Sequence, residues 1–324
     1  MHKLHIVLLG LLAPVAVFTP QTLACINDYV PNHKAIVASR NVVGDLTKVD
    51  LFEQWSARRD RLRKETEAGG DYKVRNDLAS ALMHTGAPKA AIQILEEIER
   101  TNPALYRTAS NLGTAYELSG DPNKALGWIR KGIERNPESH ETSEWLHVRV
   151  LEKKISGMKV SSWENDTSLL GLNFGNSATP MPPTTFPTGN SGEPLTLEQV
   201  EAGLKYQLHE RLQFVKPPDE IVASLLFDLG NIIALKPDGI GMAQGTYELA
   251  SKYAESNSDD IQVIQVLIAK RLYMAKLANR KRSSFAGLLN HPVMLIAFLA
   301  IVGAISLYGI GKIREFRRRR AITQ

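Results

Sequence analysis

One spacing constrains this chain more than any other. In "NLGTAYELSGDPNKALGWIRKGIERNPES", Asn111 to Ser139, a set of small, apolar and turn residues repeats a set found 34 positions earlier. Leu112 falls on Leu78, Gly113 on Ala79, Tyr116 on Leu82, Gly120 on Gly86 and Pro122 on Pro88. Ala125 falls on Ala91, Ile129 on Leu95, Asn136 on Asn102 and Pro137 on Pro103. A fixed period of this length marks a stacked supersecondary unit that buries its apolar face only against its neighbours. Within each unit the spacing predicts two helices. Leu112, Gly113 and Tyr116 share one face of the first, and Gly120 or Gly86 supplies the backbone angles that end it. Ala125 or Ala91 is small where the helices cross, and Ile129 or Leu95 fills the space one turn later. Pro137 or Pro103 ends the unit, with the preceding Asn placed to cap the next helix.

This period and these landmarks resemble the tetratricopeptide repeat (TPR), a helix-turn-helix unit. The resemblance covers Tyr72 to about Ser139; the family's Trp at the fourth position is replaced by Arg75 and Ala109. It implies an all-α fold of antiparallel helical hairpin repeats, a TPR-like solenoid, with an inner groove lined by the first helix of each repeat. Carried over by register, the groove positions are Lys73, Asn76, Ser80, Met83 and His84, then Arg107, Ser110, Thr114, Glu117 and Leu118. One subfamily carries a basic carboxylate clamp. Only Asn111 matches it here, because Asn76 and Ser80 stand for its Lys and Asn, and Glu141 and Trp145 for its Lys and Arg. The resemblance implies a protein or peptide partner, held as an extended segment by side-chain hydrogen bonds. The alternative is a solvated polar face without a ligand.

Two repeats leave open ends, so capping helices are expected on both sides. "VDLFEQWSARRDRLRKETEAGG" reads as a helix ending at Gly69-Gly70, and "HETSEWLHVRVLEKKI" as the first helix of a third unit with Trp145, Leu146, Val150 and Leu151 on one side. The organisation is then an irregular segment and capping helix over 25–70, repeats with a capping helix over 72–155, a Pro/Thr/Ser-rich linker or surface loop over 156–196, and a helical domain over 197–284. From Gly175 to Thr196, 17 of 22 residues are Pro, Thr, Ser, Gly or Asn, too polar for a core. Asn165-Asp166-Thr167 matches a glycosylation acceptor. Thr196 and Gln199 form a capping box before Val200, Leu204, Leu208 and Leu212. Pro217-Pro218-Asp219 starts a helix carrying Ile221, Leu225, Leu229, Ile232 and Ile233. Two more helices are expected, at about Met242–Glu255 and Ile261–Ala278. Leu229-Gly230 and Ile233 echo the opening of the repeat.

Two apolar segments set an expected location. Residues 1–24, with Lys3, an apolar run from Ile6 to Phe18 and Thr22-Leu23-Ala24, fit a signal peptide cleaved before Cys25. Lipidation of Cys25 and a retained anchor are the alternatives. Pro292–Gly311 is uncharged for 20 residues, enough for a transmembrane helix over 291–311. Lys312, Arg314 and Arg317 to Arg320 follow it, against Lys276, Arg280, Lys281 and Arg282 before it. This places the basic tail, 312–324, in the cytoplasm and the N-terminal domain in the periplasm of a bacterial inner membrane, as a single-pass protein. Cys25 is the only cysteine, so no disulfide closes within the chain.

Reactive chemistry is sparse. His140, Glu144 and His147 stand at spacings that line one helix face, where they would hold a divalent metal or lie exposed on a cap. There is no phosphate-cradling glycine loop, no nucleophile-base constellation, and no aromatic clustering suited to nucleic acid. No cofactor and no catalysis are expected. The chain resembles bacterial envelope TPR proteins with a signal peptide and a C-terminal anchor. It reads as a periplasmic scaffold, with a metal-dependent hydrolase or a purely structural helical domain as the alternatives.

Overall fold

The structure is a computed structural model that describes residues 26–29, 42–47, 52–157, 168–255 and 261–290, with only the backbone described for 283–290. Helices α1 (Val42–Leu46) and α2 (Phe52–Glu67) lead into α3 (Tyr72–His84), α4 (Pro88–Thr101), α5 (Tyr106–Leu118) and α6 (Pro122–Arg135). Each bound of α5 and α6 lies 34 residues beyond its counterpart in α3 and α4. Gly86 and Gly120, with φ of 80° and 86°, turn the chain between the two helices of each hairpin, and Pro88 and Pro122 open the second helix, where no donor is lost. Ala91, Leu95 and Ile98 form the buried stripe of α4; Ala125, Ile129 and Gly132 form that of α6. A Cβ added at Gly113 would come within 2.6 Å of Ile129 Cγ1, so this glycine sets how closely α5 approaches α6.

Asn102 and Asn136 do not cap the helix that follows them. Their N–H groups donate to the carbonyls of Ile98 and Gly132, closing α4 and α6. Pro103 cannot extend a helical hydrogen-bond ladder, and α5 begins only after Leu105.

A 3₁₀ turn (Ser139–Thr142) precedes α7 (Glu144–Ser156). Then come α8 (Leu197–Phe214), α9 (Glu220–Ala234), α10 (Gly239–Met242), α11 (Gln244–Tyr253) and α12 (Gln262–Asn290). The architecture is all-helical, with a repeated arrangement of helices and no strand among the described residues. The Thr196–Gln199 capping box forms as the sequence indicates, and Asp219 accepts from the N–H of Val222 at the start of α9. Helix α12 runs on to Asn290, past the expected end at Ala278. A Cβ on Gly230 would meet the ring of Tyr247, so α9 and α11 approach each other through a glycine, as α5 and α6 do.

Two apolar cores result among the described residues. One gathers Ile26, Trp55, Leu62 and the inner faces of α3 to α6; the other gathers α8, α9, α11 and α12. Helix α7 is the seam: Leu151 belongs to the first core, and Trp145, Leu146 and Val150 to the second. The proline-rich stretch is fastened to the second core rather than strung between bodies. Leu170, Leu172 and Phe174 are buried in it. The buried guanidinium of Arg271 donates to the carbonyls of Phe174 and Gly175. Asn190 accepts from the N–H of Trp145 and donates to the carbonyl of Pro137. The polar composition of 175–196 hid these anchors, because the apolar ones precede it by a few residues.

No helix among the described residues is long and apolar enough to cross a membrane. The expected signal segment (1–24), glycosylation triplet (165–167), membrane span (291–311) and basic tail (312–324) lie outside the described residues. Replacing Gly113 with Leu should force Ile129 aside and destabilise the repeats by about 1–3 kcal/mol, seen as a lowered melting temperature. A variant that melts like the parent would contradict the α5–α6 packing described here.

Candidate functional site: the repeat groove and the segment within it

Helices α3 and α5 present a row of polar side chains toward one another, and among the described residues an extended stretch of the same chain, Ile26–Tyr29, lies against them. Asn76 and Asn111 are fully buried. The N–H of Asn27 donates to Asn111 Oδ1 (2.7 Å), and the Asn27 carbonyl accepts from Asn76 Nδ2 (2.6 Å) and Asn111 Nδ2 (3.1 Å). The two amides are joined by a 3.0 Å bond from Asn111 Nδ2 to Asn76 Oδ1. Two residues on, the N–H of Tyr29 donates to Asp77 Oδ1 (2.6 Å). Asp77 and Asn111 are repeat-equivalent, 34 residues apart. Each repeat therefore supplies one acceptor at one register position, and an extended chain crossing from α5 to α3 meets them with alternate N–H groups.

Side chains read the rest of the segment. Ile26 enters the first core with Trp55. Asp28 pairs with Arg58 of α2 at 2.8 Å, and Arg58 also lies 3.6 Å from Asp77. Arg107 Nη1 donates to the Asp28 carbonyl (3.1 Å), while its guanidinium lies 4.4 Å from the Tyr29 ring centre and Lys73 Nζ lies 5.8 Å from it. Burial pushes the Asp28 carboxyl up to about 7, against the opposing charge of Arg58, with the Ser80 hydroxyl beside it favouring the ionised form. Burial likewise raises Tyr29, to about 12.

The far end of the groove is covered by the second half of the chain. His84 stacks on Trp55 at 3.6 Å and meets Phe214 of α8 at 4.7 Å between ring centres. Glu117 receives Arg211 of α8 (2.8 Å), Lys154 of α7 (2.6 Å) and His147 Nε2 (2.6 Å). Burial alone would raise the Glu117 carboxyl, but Arg211, His147 and Lys154 hold it well below the usual carboxylate range. Thr114 and Ser110 lie between the two ends, with the Thr114 hydroxyl bonded to the Ser110 carbonyl. Of the groove positions read from the sequence, Lys73, Asn76, Ser80 and Arg107, together with the clamp match Asn111, meet the N-terminal segment. His84 and Glu117 meet the second half, Thr114 lies between, and the Ser110 hydroxyl faces Gly132 of α6 instead of the groove. Asp77 and Arg58, central to the contact, were not among them. Shifting Asn111 by one repeat would have pointed to Asp77; Arg58 sits in an arginine-rich helix with nothing to single it out.

His140, Glu144 and His147 do not share a helix face, and they are not exposed. His140 precedes α7, in a turn where His140, Glu141 and Thr142 have φ of 54°, 52° and 62°. Left-handed backbone at such residues costs of order 1–3 kcal/mol each. The turn is held by a bond from Ser143 Oγ to the His140 carbonyl (2.6 Å) and by Gln207 of α8 on Ser143 (3.1 Å). His140 Nδ1 meets Glu144 Oε1, the other Glu144 oxygen lies 3.4 Å from His147 Nδ1, and His147 Nε2 reaches Glu117. The set is thus a buried relay from the turn through α7 to α5. Among the described residues no three His, Cys, Asp or Glu side chains are arranged to hold a metal ion. Burial lowers His147, but Glu117 and Glu144 outweigh it and raise it; Glu144, pushed up by burial, is held low by His140 and His147.

Two outcomes follow for the docked segment. Asn111→Ala removes the acceptor for one N–H and a donor to one carbonyl, a loss of about 1–3 kcal/mol, which should show as faster proteolytic cleavage of the chain before α2. The pH dependence is set by Asp28, faced by Arg58, Asp77 and Arg107. Because its docked value of about 7 lies above the ordinary 3.8, docking binds protons. It strengthens as pH falls from about 7 toward 4 and weakens as pH rises through 7. Cleavage, normalised to an unstructured control peptide, should be faster at pH 8 than at pH 6, and Asp28→Asn should remove the difference. Comparison of this chain with known protein families, curated proteins and solved structures finds no match to any of them.

Proposed function

We propose that this protein is a membrane-anchored interaction scaffold whose tetratricopeptide-like repeats hold an extended segment of a protein or peptide partner, without catalysing a reaction. The observation that carries the reading is the grip of Asn76 and Asn111 on the main chain of Asn27. Main-chain recognition requires only that a ligand be extended, and flanking side chains then add selectivity. The recurrence of helix bounds at 34 residues supports the family resemblance. For location, the uncharged run Pro292–Gly311 and the six basic residues after it support a single inner-membrane span. The repeats would then face the periplasm, where the protein would serve assembly of an envelope complex.

A purely structural role is the second reading. It is favoured by the closure of both ends of the groove by the chain's own residues, Ile26–Tyr29 at one and Arg211 and Phe214 at the other. The two separate in cells. A photoreactive amino acid at the exposed Lys73, in the full-length membrane-inserted protein, should capture a discrete partner, and the added change Asn111→Ala should abolish that capture. Crosslinks only to residues of the same chain would overturn the scaffold reading in favour of the structural one.

A further inference from the structure

We propose that Ile26–Tyr29 is an exchangeable, tethered ligand, and that the groove accepts in trans an extended segment with the same chemistry: an apolar residue, any residue, an acid and an aromatic. This deepens the scaffold reading and rests on it.

Each position of the segment has its own receptor. Ile26 is buried among apolar side chains that include Trp55. Residue 27 is gripped by its main chain alone. The acid at 28 meets Arg58, and the aromatic ring at 29 lies against Arg107 and Lys73. These receptors come from three helices, α2, α3 and α5. The contacts use side chains of the groove rather than a backbone ladder, so the segment can leave without opening any helix.

The fit of the chain's own segment is also incomplete. Asn27 is wholly buried, yet both atoms of its side-chain amide lack a hydrogen-bond partner among the described residues. A segment kept only as core would carry an apolar side chain at such a place, since an unsatisfied buried amide costs stability. Here the groove recognises the backbone of residue 27 and leaves its side chain unmatched, as expected of a receptor that tolerates other residues there. The segment belongs to the same chain as the groove, so its docking is intramolecular. A trans ligand must compete with it. Disabling the tethered copy should therefore raise apparent affinity, which a permanent plug would not do.

The test uses the full-length protein in detergent micelles and a fluorescent peptide of residues 26–31, read by anisotropy. A chain carrying Asp28→Ala and Tyr29→Ala should bind this peptide at least tenfold more tightly than the wild type. Adding Asn111→Ala should remove that gain by at least tenfold. Failure of the double variant to bind, while it retains a cooperative melt and helical circular dichroism, would overturn the proposal. Where the double variant does not fold, the wild type decides: excess peptide, but not a scrambled one, should accelerate cleavage of the chain before α2, and an unchanged rate would be as damaging. Partner capture from Lys73 in cells without peptide binding would overturn this ligand chemistry and leave the scaffold standing. Peptide binding with only intramolecular capture would uphold the ligand chemistry and contradict a cellular partner.

Discussion

Two buried carboxamides facing one carbonyl set the terms for the rest of the first half. Asn76 and Asn111 sit on adjacent repeats with no access to water, and a buried amide without partners is costly. Their mutual bond satisfies one donor and one acceptor; the remainder requires a polar occupant with an N–H and a C=O close together. An extended backbone supplies both. With Asn27 in place, Asp28 and Tyr29 are carried to Arg58, Arg107 and Lys73. The first capping helix is tied to the groove through Arg58. The repeats are thus built around a guest, and the guest is part of the same molecule.

The second half answers a different requirement. A short stack of hairpins leaves an open end, and α7 closes it by giving one residue set to each core. The seam is charged as well as apolar: His140, Glu144, His147 and Glu117 form a continuous buried relay that ends on Arg211 of α8. Desolvating such groups offsets much of their attraction, so their main effect is on geometry rather than on net stability. They fix where α8 lies across the far end of α3 and α5, and so determine how much of the groove remains open.

The repeats were legible because their constraints are local and periodic. A glycine where the chain must turn, a proline where a helix begins, and Gly113 against Ile129 leave marks at fixed spacing, and the helix bounds recur accordingly. The Thr196–Gln199 box and the Asp219 cap were legible for the same reason. What was not legible depends on partners distant in sequence. Four extended residues, Ile26 to Tyr29, carry no periodicity, and their role appears only when Asp77 and Asn111 face them. His140 was misplaced because i, i+4 spacing assumes a helix that in fact begins four residues later. Between the linker and surface-loop readings of 175–196 the composition could not choose, because Leu170, Leu172 and Phe174, whose burial holds the stretch down, lie just before it. Asn102 and Asn136, equally suited to begin or end a helix, were decided by the prolines behind them.

Amide hydrogen exchange in the full-length protein reaches the central claim most directly, because the N–H groups of Asn27 and Tyr29 donate to side-chain acceptors, Asn111 and Asp77. Both amides should exchange far more slowly than in a free peptide, and Asn111→Ala should bring Asn27 close to the free rate while the amides of α4 and α6 keep their protection. Exchange of Asn27 and Tyr29 at the free-peptide rate in the wild type would mean that the segment does not occupy the groove, and the account built on it would fall.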